Sequence, residues 1–367
     1  MNAPAILDVP MEFASDNAGP AHPEVLAALA EANQGFAPSY GADRWTAEVV
    51  ERVRALFEAP KAAVHLVATG TAANSLALAT LARPWDMILC SEMAHVQEDE
   101  CNAPEAFTGG AKLMPLPARQ AKLTPEVLRP ALEFAGSSVH QPQRGPVTIT
   151  QATEKGTVYA LDEIRAVTSV AREFGSRVHL DGARFANALV ALGCTPAEMT
   201  WKAGVDAVSF GGTKNGLMGV EAVVLFDPAL SWEFELRRKR AAHLFSKGRY
   251  LGAQMAAYLT DDLWLDMARA ANASLSLLVE GLRGLGVTPE WEPEANLVFV
   301  RLPRAMHQRL RAAGATYHLW DGPLDRGDPD EPLLCRLVCD WSTGPGAVDR
   351  FLAAAAGAPA PVAVPAS

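Results

Sequence analysis

The sequence predicts an α/β protein: a mostly parallel sheet flanked by helices, followed by a smaller α+β domain towards the C-terminus. Three observations predict it. Short apolar runs alternate with helix-period segments from residue 64 to residue 210, as in βα units stacked into a parallel sheet. Turns of small residues follow these runs at 69–74, 181–183 and 211–216. Beyond residue 270 the texture changes to widely spaced strands with two helices between and after them. The 367 residues suffice for one large domain and one smaller one.

In order, residues 1–10 read as a loose leader and 13–20 as a turn-rich loop. Pro23 suits the first turn of a helix over 24–33, with apolar positions at 25, 26 and 29. A loop at 36–41 precedes a helix over 43–58, which Pro60 ends. A strand at 64–69 leads into a long Ala/Leu helix at 70–81, and a further strand occupies 86–90. Strand, turn and helix then recur at 147–151, 164–174, 177–180, 183–192, 199–203 and 206–210. Residues 239–270 read as helix, broken near Asp261 and Asp262. Strands are expected at 296–302, 315–320 and 333–340, and helices at 304–313 and 346–355. The expected organisation is an N-terminal segment 1–23, a large domain 24–250 and a small domain 251–355. The Ala/Pro/Val-rich, uncharged tail at 356–367 is expected to be disordered.

Composition narrows the function. Hydrophobic residues make up 49% and charged residues 20%, which suits a packed globular protein. The net charge is −10, and the one basic run, at 237–240, follows an acidic segment and reads as a solvated helix face. Nucleic-acid and membrane-surface partners are therefore disfavoured. The five cysteines include no CxxC pair. Cys335 and Cys339 lie four apart in a strand, roughly 13 Å, too far for a disulfide. Reduced, buried thiols are expected, as is a cytoplasmic location, since neither a secretory leader nor a bilayer-spanning run is visible. No metal-ligand cluster is visible either.

Three stretches carry chemistry. Thr69-Gly-Thr-Ala-Ala-Asn74 joins a strand to a helix N-terminus, where exposed N–H groups of Gly70, Thr71 and Ala72 suit a phosphate; its plain alternative is Thr71 as a cap. His179-Leu-Asp-Gly-Ala-Arg184 puts Asp181 at the end of a buried strand, as an N-cap or as a ligand-binding carboxylate. Val205 to Gly216 is a strand breaking into a glycine-rich turn around Lys214. Alone, that turn is an ordinary hairpin with a solvated lysine. Its glycines at 211, 212, 216 and 219 otherwise leave room for a bulky group. In this order, an anion cradle, a carboxylate for a ring nitrogen and an amine able to form a Schiff base are the three contacts that pyridoxal 5'-phosphate needs.

The chain resembles the low-specificity L-threonine aldolases, pyridoxal-phosphate enzymes of the aspartate-aminotransferase-like fold. The resemblance runs from about residue 13 to about residue 355. It rests on Ser-Asp-Asn at 15–17, Tyr-Gly at 40–41, Thr-Gly-Thr-Ala-Ala-Asn at 69–74 and Ala-His at 94–95. It continues in His-Leu-Asp-Gly-Ala-Arg at 179–184, Gly-Thr-Lys-Asn at 212–215, His-Leu-Phe-Ser-Lys-Gly-Arg-Tyr at 243–250 and Cys-Arg-Leu-Val at 335–338. The resemblance implies that Lys214 is the Schiff-base lysine and that Asp181 pairs with the pyridinium nitrogen. It implies that Gly70 and Thr71 hold the phosphate, helped by Arg249 from a neighbouring subunit, and that His95 stacks on the ring. Arg184 is then near the phenolate oxygen and the substrate carboxylate, which Arg336 and Ser15 bind. A homodimer or homotetramer with shared sites is implied in the same way.

Many members of that family carry a histidine where this chain reads Gln151-Ala-Thr-Glu154. That departure leaves the base for the substrate hydroxyl open among His95, Glu154 and a phosphate-bound water. The segment 94–100 also lacks an aromatic residue that some members have. The expected reaction is retro-aldol cleavage of a β-hydroxy-α-amino acid, such as L-threonine or L-allo-threonine, to glycine and an aldehyde. β-Elimination, transamination and a non-catalytic binding role remain alternatives on the same fold.

Overall fold

The computed structural model of the chain describes residues 10–357. The leader at 1–9 and the tail from 358 lie outside the described residues. The chain divides into two compact units: residues 20–265, and residues up to 19 together with those from 266. The division differs from the expected one in two places. Phe13 joins the second unit because its N–H bonds Thr316 O at 2.8 Å and its carbonyl accepts from Val338 N–H at 2.9 Å. Its buried ring also meets Phe351 edge-on, with centroids 5.0 Å apart. The helix Arg249–Tyr258 stays with the first unit, tightly packed on the helix Arg44–Leu56: a Cβ at Gly252 would stand 2.7 Å from Thr46 N. The division falls inside the helix Leu263–Gly284.

The larger unit is built on seven strands: β1 Ala63–Val67, β2 Asp86–Ser91, β3 Lys112–Leu116, β4 Gln143–Thr150, β5 Val178–Gly182, β6 Ala207–Gly211 and β7 Glu221–Leu225. Their order is β1-β7-β6-β5-β4-β2-β3, and β7 alone runs against its neighbours. Because β1 and β6 are both antiparallel to β7, they are parallel to each other. The carboxyl ends of β1, β2, β4, β5 and β6 therefore lie along one edge. That edge is where open α/β sheets hold ligands. β1, β2, β5, β6 and β7 are buried throughout, as expected of a sheet covered on both faces.

A polar ladder crosses this apolar sheet. His179 on β5 bonds Thr148 Oγ1 on β4 through Nδ1 and Ser209 Oγ on β6 through Nε2, both at 2.9 Å. Burial lowers its pKa to about 4, with the Asp181 charge opposing. The unfolded chain, with histidine near ~6.5, takes up this proton first. Stability is therefore full above that value and falls as pH drops towards 4, by about 3 kcal/mol in all. Denaturant unfolding of the native chain and of His179→Gln over this range checks it: the variant should lack this part of the acid loss.

Several helices differ from expectation. The segment 199–203 is two short pieces, Pro196–Met199 and the 3₁₀ turn Trp201–Ala203. The helix expected over 239–270 is three helices, Ser231–Arg240, Arg249–Tyr258 and Leu263–Gly284. A loop at 241–248 separates the first two, where Ser246 O accepts the Tyr40 N–H at 3.0 Å. The break at Asp261 and Asp262 is present, and both residues have positive φ. The basic run is not all solvated: Arg238 is buried, donating to Leu66 O at 3.2 Å and Glu235 Oε2 at 2.8 Å.

The smaller unit has an antiparallel sheet of β8 Leu297–Pro303, β9 His318–Leu319 and β10 Pro332–Val338, in the order β8-β10-β9. The strand expected over 315–320 is thus confined to two residues. Phe13, Val300, Leu337 and Phe351 form part of its core. Cys335 and Cys339 lie buried within it, and all five cysteines are free.

Candidate active site

Lys214 stands in the 3₁₀ turn Thr213–Asn215, in the connection from β6 to its antiparallel neighbour β7. In topology the connection is a hairpin, as the segment alone suggested, but its backbone is clamped. Asn215 Nδ2 donates to Tyr258 Oη at 2.7 Å and Trp264 O at 2.8 Å, and Tyr258 Oη donates to Gly211 O at 3.2 Å. Glu221 Oε2 accepts the Gly212 N–H at 2.6 Å. Gln254 Oε1 accepts from Met218 N–H and Gly219 N–H. A Cβ at Gly211 would fall 2.6 Å from the carbonyl oxygens of Gly182 and Ala183. Glycine at 211 therefore serves chain-to-chain approach, not room for a bulky group. Burial pushes the Glu221 carboxyl up to about 7, against the Gly212 N–H and the Lys214 charge.

Asp181 is the penultimate residue of β5 and is buried. Its oxygens accept from two neutral donors, Asn74 Nδ2 at 2.8 Å and Ala183 N–H at 3.0 Å. It is not an N-cap, since Arg184 holds that position ahead of the helix Phe185–Leu192. At the end of β1, Thr69 rather than Thr71 caps the helix Gly70–Leu81, its Oγ1 accepting from Ala72 N–H at 3.2 Å. The difference leaves the Thr71 side chain out of the cap. A Cβ at Gly70 would meet nothing within 4 Å, so the helix start is open.

His95 follows β2 and opens the short helix His95–Glu98. Its N–H donates to Glu154 Oε1 at 2.8 Å, and its Nδ1 bonds Glu100 Oε1 at 2.8 Å. The Glu100 bond raises the His95 pKa; burial and the Lys214 charge pull it down, and the Asp181 charge pulls it up. Glu154 follows β4, and its Oε1 also accepts from Thr150 Oγ1 at 2.8 Å. Its Oε2 is buried without a partner, and burial raises its pKa. Five strand ends along one edge thus supply Gly70, His95, Glu154, Asp181 and Lys214.

Arg249, Arg336 and Ser15 make contacts of their own. Arg249 starts its helix and donates to Gly35 O at 3.0 Å and Tyr250 Oη at 3.3 Å; none of its described hydrogen bonds reaches the Gly70 turn. In the smaller unit, Arg336 Nη2 donates to Ala14 O at 3.2 Å, and its guanidinium lies 5.4 Å from the Trp320 ring centroid. Ser15 Oγ accepts from Asn17 N–H at 3.1 Å. Sequence reading gave no role to Asn74, Glu100 or Glu221. Asn74 had a signal: it is the one amide in a helix buried along nine of its twelve residues, where an amide must find partners. Glu100 and Glu221 had none, being ordinary carboxylates until the fold buries them.

Comparison with known proteins gives the same picture. The profile of the family described as Beta-eliminating lyase matches residues 12–305. The low specificity L-threonine aldolase of Pseudomonas aeruginosa is 43% identical over 337 residues, covering 92% of this chain and 94% of that protein. The chain belongs to the low-specificity L-threonine aldolase family. A second aldolase of that name, from a Pseudomonas species, is 41% identical with the same coverage. The solved threonine aldolase of Leishmania major superposes with a TM-score of 0.87 at 27% identity, covering 95% of this chain and 99% of that one. This aldolase-family chain is accordingly a lyase with a pyridoxal-phosphate-type transferase fold. Among the described residues, no helix is long and apolar enough to cross a membrane.

The residues present fit pyridoxal phosphate. The helix start at Gly70 is open to a phosphate. Asp181 is a buried carboxylate whose described hydrogen bonds come from neutral donors, which suits a protonated ring nitrogen. Lys214 lies close enough for its charge to act on both His95 and Glu221.

Proposed function

We propose that this chain cleaves L-threonine, L-allo-threonine and related β-hydroxy-α-amino acids to glycine and an aldehyde, with pyridoxal phosphate held by Lys214, Asp181 and the Gly70 turn. The observation that carries the reading is the convergence of the lysine turn, the buried aspartate and the open helix start on one sheet edge. When bound, the cofactor supplies an electron sink for the bond broken at Cα. Lys214 holds it and moves a proton at Cα. Asp181 keeps a proton on the ring nitrogen. Gly70 and Thr71 take the phosphate through backbone N–H groups, with Arg249 of a neighbouring subunit adding charge; the Ala72 N–H, expected to join them, is given to the Thr69 cap. Arg184 serves the phenolate oxygen and the substrate carboxylate. Arg336 and Ser15 bind that carboxylate, a match for a planar guanidinium, and so orient the Cα–Cβ bond for cleavage.

His95 is the favoured base for the β-hydroxyl proton. Glu154 spends Oε1 on Thr150 and the His95 N–H, and its Oε2 is buried. The His95 side chain keeps about a third of its surface exposed (36%). The test is aldehyde release from both threonine isomers by the purified protein with the cofactor, beside His95→Ala and Glu154→Ala. His95→Ala should lower kcat on the order of 100-fold when the cofactor is saturating. If neither variant does so, a water relay replaces both side chains. Release of 2-oxobutanoate and ammonia in place of aldehyde would favour β-elimination, the reaction in the matched family's description.

A homodimer or homotetramer is part of the proposal. Phe36, Tyr40, Met218 and Phe245 of the larger unit are exposed apolar side chains that an oligomer would cover. The five free thiols suit a reducing, cytoplasmic setting.

A further inference from the structure

Asn74 and Glu100 take no part in the roles above, yet both are buried beside groups that do. Asn74 Nδ2 carries two hydrogens and spends one on each of two carboxylates: Glu100 Oε1 at 2.9 Å and Asp181 Oδ2 at 2.8 Å. Glu100 Oε1 also meets His95 Nδ1 at 2.8 Å. The result is one chain of bonds, Asp181 to Asn74 to Glu100 to His95, running between the strand-end aspartate and the partly exposed imidazole. We infer that Glu100 and Asn74 are positioning residues: Glu100 holds His95 by Nδ1, Asn74 holds Glu100 against Asp181, and Nε2 is left as the working nitrogen of the ring.

The physical argument is short. An ionised carboxylate accepts only, so it selects the tautomer with hydrogen on Nδ1 and leaves a lone pair on Nε2. None of the described hydrogen bonds engages Nε2. A carboxylate so placed also steadies the imidazolium that forms when Nε2 takes a proton, the logic of a base with its orienting acid. Two neighbouring buried carboxylates do not both stay ionised easily without a donor between them, and the neutral amide of Asn74 supplies one. The charges facing His95 are Glu100 from its own segment, Glu154 from beyond β4, Asp181 on β5 and Lys214 from beyond β6. Burial pushes the Glu100 carboxyl up, and its bonds to His95 and Asn74 hold it down.

The use of Nε2 as base rests on the reading under Proposed function; the grip on Nδ1 does not. The experiment is a nitrogen NMR titration of the full chain with labelled histidines, with and without cofactor, using His95→Asn to assign the signal. His95 should be protonated on Nδ1 when neutral. In Glu100→Gln its pKa should fall by about one pH unit, a tenfold loss of proton affinity. The acid limb of kcat/KM should move down with it. Asn74→Ala should blur the tautomer preference. Should Glu100→Gln fail to fold, Glu100→Asp keeps the charge but shortens the reach, and a partial loss of the tautomer preference is expected. An unchanged His95 pKa and tautomer overturns the inference whether or not the chain cleaves threonine. A moved NMR pKa with an unmoved pH–rate profile supports the positioning role and instead removes His95 as the base.

Discussion

Lys214→Ala is expected to abolish aldehyde release from L-threonine and L-allo-threonine, a loss of three or more orders of magnitude, as for other nucleophile deletions. Borohydride treatment should fix the cofactor on the native chain and leave the variant unlabelled. The fold should survive, because the turn does not hang on the lysine. Asn215, Glu221 and Gln254 clamp it through Tyr258 Oη, Trp264 O and the N–H groups of Gly212, Met218 and Gly219. Full aldehyde release by a well-folded Lys214→Ala protein would sink the assignment of the lysine. Loss of activity together with unfolding would instead point to a part in the clamp.

Asp181→Asn is the second large effect. The substitution keeps the shape and leaves one oxygen to accept from Asn74 or Ala183, but removes the charge. A ring nitrogen facing it would lose its proton, and the electron sink would weaken. Turnover should fall on the order of 100-fold or more, comparable to removing a preorganised electrostatic partner. The same change should lower the proton affinity of His95, since the Asp181 charge is one of those that raise it. Spectral titration of the bound cofactor, beside kcat, checks the first effect. A variant with native turnover and an unaltered spectrum would place the ring nitrogen elsewhere.

Much of this arrangement was legible from local signals. The apolar runs that became β1, β2, β5 and β6 were visible because a sheet covered on both faces needs continuous apolar strands. The positions of Lys214 and Asp181 at the ends of β6 and β5 were legible because strand ends show as breaks into glycine. The rest depended on contacts far apart in sequence. Nothing local reveals that Glu100 is buried, because its partner Asn74 sits 26 positions earlier. The helix expected over 239–270 splits because Ser246 O answers Tyr40 N–H, a bond outside any local window. Phe13 looked like part of a loop, and its place in the smaller unit depends on Thr316 and Val338. Arg238 was misread for the same reason: its carbonyl partner, Leu66, lies on β1.

The edge that gathers Gly70, His95, Glu154, Asp181 and Lys214 has a consequence for folding. No two of these residues are near neighbours in the chain, and each hangs from a different strand. They meet only after loops of many tens of residues have closed, which is slow and gives no partial return. A half-formed sheet therefore has no half-formed site. A fragment ending before β6 lacks Lys214, and one beginning after Ala72 lacks the proposed anion cradle. Chains cut short at either place should be chemically inert, so a nascent or nicked polypeptide carries no stray reactivity towards amino acids before the sheet is complete.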